Sequence, residues 1–166
     1  GNSIVEKELI SKAKEIQEKA KKFKCNIILP MDVVSSTGVN DNKNIRYCNV
    51  NDVKSDHMIL DVGKQTVNLI CDEILKSKML IWNGPLGAFE FKPFDQSTIN
   101  IAKTITANAK KFNIEALAGG GDTISAIKLA KAVDGFKYIS KSGGAFLEWL
   151  EGKQSPGVIA LKENDY

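Results

Sequence analysis

The sequence has a single histidine and only three cysteines, Cys25, Cys48 and Cys71, which lie far apart and never form a Cys-x-x-Cys pair. An odd, scattered set excludes a disulfide framework and a structural zinc and fits a reducing compartment, so the three read as packing residues. His57 has no Ser or Cys partner in an evident motif, which leaves a nucleophilic triad unsupported and reads as a surface or loop histidine. There is no Walker loop and no dinucleotide fingerprint. No apolar run is long enough to cross a membrane and no basic-apolar-small leader opens the chain, so a cytoplasmic protein is expected. The 23 Lys and Arg only slightly outnumber the 20 Asp and Glu and alternate with them, which argues against a nucleic-acid partner. An initiator Met is also missing, and the chain opens directly on a helix, as a piece of a longer protein or a chain with a processed or engineered terminus would.

What is present suits one globular domain: 166 residues, 43% of them apolar and 26% charged, with no internal repeat, low-complexity tract or linker. Ser3 and Glu6 have the spacing of a capping box ahead of a helix whose apolar face runs through Val5, Leu9, Ala13, Ile16, Ala20 and Phe23. Glu8 with Lys12, Glu15 with Lys19 and Glu18 with Lys22 mark its solvated face. Residues 26–30 read as a short strand, and the polar stretch 32–56 reads as loop around a brief strand at 45–50. From there strands alternate with helices: strand Met58–Val62, helix Gln65–Lys76, strand Met79–Trp82, a helix capped by Asp95 and running to about Lys110, strand Ile114–Ala118, helix Asp122–Ala132, strand Tyr138–Ser140 and helix Gly144–Leu150. This alternation predicts an α/β fold, a three-layer α/β/α sandwich around a mostly parallel sheet.

Three loops in that series carry the candidate chemistry. Each follows a strand and precedes a helix, the place where α/β sheets bind anions on unpaired helix N–H groups. In Ala118-Gly119-Gly120-Gly121-Asp122-Thr123 the glycines allow close backbone approach, and Asp122 and Thr123 either cap the helix or face a ligand. An Asp beside a phosphate requires a cation between them, so the functional reading implies Mg²⁺ on Asp122, against a plain tight turn with Asp122 as cap. Gly143-Gly144 is a second glycine turn, or simply a close strand-helix connection with Phe146, Leu147 and Trp149 in the core. Lys141 reads equally as a phosphate contact or a solvated charge. In the loop from Trp82 to Glu90, Asn83 can hydrogen-bond and Glu90 can accept from the two hydroxyls of a ribose, while Trp82 and Phe89 read as core.

Taken together, Leu29–Val34, Leu60–Thr66, Trp82–Glu90, Gly119–Thr123, Gly143–Lys153 and Pro156-Gly157 resemble the carboxyl-terminal, nucleotide-binding domain of phosphoglycerate kinase. The resemblance runs over nearly the whole chain, and its Trp-Asn-Gly-Pro and Leu-Glu-Gly-Lys stretches are very specific. It implies a Rossmann-like domain and a glycolytic phosphotransferase, which moves a phosphoryl group reversibly between 1,3-bisphosphoglycerate and ADP to give 3-phosphoglycerate and ATP, with Mg²⁺ on the nucleotide. Carried over by position, Leu29 and Ala88 flank the adenine, Asn83 lies near the phosphates and Glu90 holds the ribose. Gly120, Gly121, Asp122 and Thr123 take the phosphate end, with Asp122 on the metal. The amides around Gly143 and Gly144 meet the phosphoryl group in transfer, a chemistry of positioning and charge neutralisation.

The sequence departs from the family pattern in two places. Lys141 and Ser142 replace the second and third residues of the last glycine turn, and Ser97 stands where the family has Gly before Thr98. The resemblance further implies that residues 1–166 are a partial domain. The amino-terminal domain with its 3-phosphoglycerate site is absent, as are the first two strands of a six-stranded sheet ordered 3-2-1-4-5-6. Such a fragment is expected to be inactive alone, to need the missing part of the same enzyme as partner, and to leave a sheet edge and an apolar face exposed. The alternative is a non-catalytic nucleotide- or anion-binding module that is complete as it stands.

Overall fold

Connection lengths decide the strand directions. The computed structural model describes residues 1–153 and 159–160, which fall into two units: Gly1–Asp72 with Leu86–Ser97, and Glu73–Pro85 with Thr98–Tyr166. In the first unit, β1 (Asp32–Ser36), β2 (Arg46–Asn49) and β3 (Met58–Val62) form a sheet ordered β2-β1-β3, antiparallel throughout. The link between β1 and β2, residues 37–45, holds no crossover helix, which a parallel pairing would need; residues 50–57 carry the chain past β1 to its other edge, so β3 runs in the same direction as β2. This small antiparallel sheet is an addition to the parallel one expected from the alternation.

Around it, Val34, Leu60 and Phe94 form a buried cluster joined by Val39, Ile45, Met58 and Ala88. Helix α2 (Lys64–Lys76) follows β3, and its start is fixed from a distance. The carboxylate of Asp32 accepts the amides of Gln65 (2.9 Å) and Thr66 (2.8 Å) and the hydroxyl of Thr66 (2.7 Å). Gly63 fits beneath this carboxylate because any side chain there would collide with it.

Several expectations for this unit are corrected. Residues 26–30 are not a strand: among the described residues no ladder partner lies beside them, and a strand needs one to satisfy its backbone. The capping box does not form; α1 (Ile10–Lys22) is preceded by a 3₁₀ turn, Lys7–Leu9, and the Ser3 hydroxyl instead accepts the amide of Ile59 (2.9 Å). Helix α1 buries none of its residues, and Ile16 and Phe23 stay 50% and 74% exposed, so its apolar stripe is uncovered. His57 does lie in a turn, but it is buried, with Nδ1 3.3 Å from Ser35 Oγ. Of the expected ion pairs, Glu15 meets Lys19 (2.9 Å) and also takes Lys12 (3.0 Å), which therefore turns away from Glu8. The cysteines are all free, and Cys25 is exposed instead of packed.

The second unit is the parallel part. Strands β4 (Met79–Trp82), β5 (Glu115–Gly119) and β6 (Tyr138–Ser140) pair in the order β4-β5-β6. They alternate with α3 (Gln96–Phe112), which begins in the first unit, α4 (Gly121–Leu129) and α5 (Gly143–Leu150). Ala116 and Ala118 on β5, Ile127 and Ala126 on α4 and Ile101, Ala102 and Ile105 on α3 are buried, so the apolar periodicity of these segments marks their core faces. Trp82 is buried as expected, with its ring 6.0 Å from that of Phe136 and its Nε1–H on the Gly84 carbonyl (2.6 Å). Gly135 packs directly on Thr106, where a Cβ would come within 2.5 Å of the Thr106 hydroxyl.

Asp95 immediately precedes α3, as expected. The Ser97 amide is taken by Asp61 (3.1 Å), while Asp95 accepts from Gln96 Nε2 (2.9 Å) and leaves its second oxygen buried without a partner. Leu147 is 40% exposed and so is no core residue. The side chains of Phe146 and Trp149 and the Pro156-Gly157 pair lie outside the described residues. Among the described residues, no helix is long and apolar enough to cross a membrane.

Candidate functional site

In a parallel sheet every strand ends on the same side, so the loops after β4, β5 and β6 are brought to one edge of the second unit. They meet closely. A Cβ on Gly143 would fall 2.8 Å from Gly120 Cα and 3.1 Å from Asn83 Oδ1, so glycine is what lets the β6 loop reach the other two. Gly120, with φ +97, is the N-cap of α4 and makes no side-chain cap bond. Asp122 therefore stands in the first turn and not at the cap, exposed to solvent, beside amides that the helix leaves unpaired.

Thr123 is different from its neighbours. Its side chain is buried, and its hydroxyl accepts the Gly84 amide (2.7 Å), which ties the start of α4 to the Asn83-Gly84 turn. The side chain thus serves the loop. At Gly121 and Gly144 a Cβ would meet no atom within 4 Å, so their faces are open, and this is the space a ligand would need at the two helix starts. Ser142 is held by Ser140, whose hydroxyl lies 3.3 Å from the Ser142 amide and 3.2 Å from its carbonyl, and Lys141 between them is exposed.

Leu29, Ala88 and Glu90, the residues expected at a base and a ribose, lie in the first unit. Leu29 is 56% exposed, in the segment before β1. Ala88 is half-buried against the Val34–Leu60–Phe94 cluster and donates its amide to the Leu60 carbonyl (2.7 Å). Phe89 is likewise half-buried, and Glu90 follows in the next turn with its carboxylate exposed.

Sequence reasoning missed what two carboxylates of the first unit hold: Asp32 the start of α2, Asp61 the start of α3. Besides Asp32, Asp61 is buried within a cage of donors: the Ser97 amide, the Ser97 hydroxyl and the Val62 amide (2.8 Å). Burial raises its pKa above the ordinary aspartate value, against the lowering by the Ser97 bonds and the Val62 amide; the charge of Asp95 adds a smaller push upward. For Asp32 burial also pushes upward, but the Thr66 hydroxyl and the amides of Gln65 and Thr66 prevail and hold it low. Both residues sit within quoted motifs, so position was visible while the long-range partners were not.

The phosphoglycerate kinase family model matches residues 1–153. The chain belongs to the phosphoglycerate kinase family. The phosphoglycerate kinase of Novosphingobium aromaticivorans is 47% identical over 163 residues and that of Granulibacter bethesdensis 43% identical over 162, each match covering 98% of this chain and 41% of the relative. Among solved structures, phosphoglycerate kinase from Coxiella burnetii superposes with a TM-score of 0.90 at 32% identity, over 100% of this chain and 42% of that one. The enzyme from Pyrococcus horikoshii gives 0.75 at 25% identity, over 94% and 37%. The chain thus spans about two fifths of the length of these phosphoglycerate kinases, and its fold is the α/β fold of that part of them, incomplete as a sheet.

Proposed function

We propose that residues 1–166 are part of the nucleotide-binding domain of a phosphoglycerate kinase, and that the complete enzyme transfers a phosphoryl group reversibly between 1,3-bisphosphoglycerate and ADP. The observation that carries this reading is the meeting of Asn83, Gly120 and Gly143 where β4, β5 and β6 end and α4 and α5 begin. Two helix starts aim unpaired amides into a space with no side chain in the way, which suits a polyphosphate.

In this reading the open faces of Gly121 and Gly144 receive phosphate oxygens beside the turn where Gly120 and Gly143 meet, with Asn83 hydrogen-bonding next to them. The amides at Gly143 and Gly144 hold the transferring group, which fits catalysis by positioning and charge neutralisation. Leu29 and Ala88 offer apolar surface to a base, and Glu90 an acceptor for ribose hydroxyls. No cluster of three or more His, Cys, Asp or Glu residues among the described ones is placed to hold a metal. A single carboxylate at Asp122 suits Mg²⁺ that takes its remaining ligands from phosphates and water. When bound, the ion would neutralise phosphate charge.

The uncovered stripe of α1 and the unpaired segment 26–30 support a partner, the rest of the same enzyme, which would cover the former and pair with the latter. A cytoplasmic location fits a soluble glycolytic enzyme. Calorimetric titration with Mg-ADP tests the site, using the chain mixed with the remaining portion of its Novosphingobium relative. We expect binding that Asp122→Ala weakens at least tenfold, and lower hydrophobic-dye binding by the mixture than by the chain alone. Equal Mg-ADP affinity in wild type and Asp122→Ala would overturn the assignment of Asp122.

A further inference from the structure

The loop bearing Ala88 and Glu90 has no regular secondary structure of its own, so something outside it must fix its backbone. Two contacts do so, and both come from the end of β3. The Leu60 carbonyl accepts the Ala88 amide (2.7 Å), and the neighbouring Asp61 carboxylate lies so close to Gly87 that a Cβ on that glycine would collide with it and with the Phe94 carbonyl (2.5 Å). Gly87 has φ +66, so its backbone also takes a conformation that other residues adopt at a cost. The chain then returns through Phe91, whose amide bonds Ala88 (2.8 Å), and Phe94, whose amide bonds Phe91 (2.8 Å), and enters α3 at the very Ser97 that Asp61 holds by amide and hydroxyl.

We infer that Asp61 is a positioning residue that fixes residues 86–91 from both ends, and so sets the base and ribose contacts of a bound nucleoside diphosphate. One end is its packing against Gly87, the other its bonds to Ser97. The inference rests on the nucleotide reading above and extends it to a residue that touches no ligand. Ser97 has a specific part in it: its hydroxyl supplies a donor that the glycine usual at that place in the family does not have. Asp61→Asn keeps the shape of the side chain but turns one acceptor into a donor facing donors, so the cage loosens without a cavity.

The test uses the 166-residue chain mixed, as above, with the remaining portion of its Novosphingobium relative, and two readouts. Amide hydrogen exchange in Asp61→Asn is expected to accelerate about tenfold or more at Ala88 and Phe91 while the Lys137 amide, bonded to Ala116 in the other unit, keeps its wild-type rate. Affinity for Mg-ADP is expected to fall about tenfold while that for magnesium pyrophosphate, which has neither base nor ribose, is unchanged. Wild-type exchange at Ala88, or a parallel loss of both ligands, overturns the inference. A wild-type mixture that binds neither ligand defeats the nucleotide reading itself and with it the ligand half of this proposal, while the exchange rates still decide the anchoring half. Should Asp61→Asn fail to fold, Ser97→Ala, which removes the hydroxyl and leaves the carboxylate, carries the same comparison with a smaller expected effect.

Discussion

The Thr66 hydroxyl lies 2.7 Å from an Asp32 carboxylate oxygen, while the same carboxylate caps the Gln65 and Thr66 amides at the start of α2. The two residues are 34 positions apart and belong to two separate motifs. Replacing Asp32 by Ala removes three bonds to a helix start, and we expect a loss of about 1–2 kcal/mol in urea unfolding. Asp32→Asn, which keeps one acceptor oxygen, is expected to lose less; equal losses would show that the cap is not the stabilising element.

Acid titration separates Asp32 from Asp61. The Asp32 pKa is lower folded than unfolded, so its contribution is present above the unfolded value and fades as pH falls through the folded one. The Asp61 pKa is raised, so the folded chain holds its proton longer and this group's contribution is largest at low pH and declines as pH rises through the folded value. The stability difference between wild type and Asp32→Asn should therefore grow with pH across the acidic range, and that between wild type and Asp61→Asn should shrink. Unfolding midpoints at a series of pH values read both slopes.

Thr123 offers a clean dissection of hydroxyl from shape. Thr123→Val keeps the buried volume but deprives the Gly84 amide of its acceptor, with an expected loss of about 1 kcal/mol. Thr123→Ser keeps the acceptor and should hold the Gly84 amide as protected from exchange as in wild type, although it loses a methyl group. Fast Gly84 exchange in the Ser variant would contradict the assignment.

How far the sequence could be read depended on how local each cause is. Strand β4 was legible to the residue, and α2, α3, β5 and α5 to within one or two, because apolar periodicity and turn residues are local signals. Residues 26–30 have strand-like composition, but a strand is a pairing, and among the described residues no partner is beside them. The bond from the Ser97 amide to Asp61 was not legible, because no spacing rule connects carboxylate and amide at that separation. His57 was misplaced for the same reason, since its burial against Ser35 is a product of how β1 meets the turn before β3. In the candidate site the glycine turns and Asp122 were legible as types, while the inward-facing Thr123 hydroxyl was not.

Gly143 sits against the backbone of Gly120 with hydrogen atoms where side chains would otherwise be. The gap between these two turns is therefore set by peptide planes and not by rotamers. Rotamers can adapt to a new guest; peptide planes anchored to paired strands yield only if the ladder between β5 and β6 yields with them. Point substitutions around the rim can alter charge and hydrogen bonding, but at this spot a wider or narrower gap would call for loops of different length.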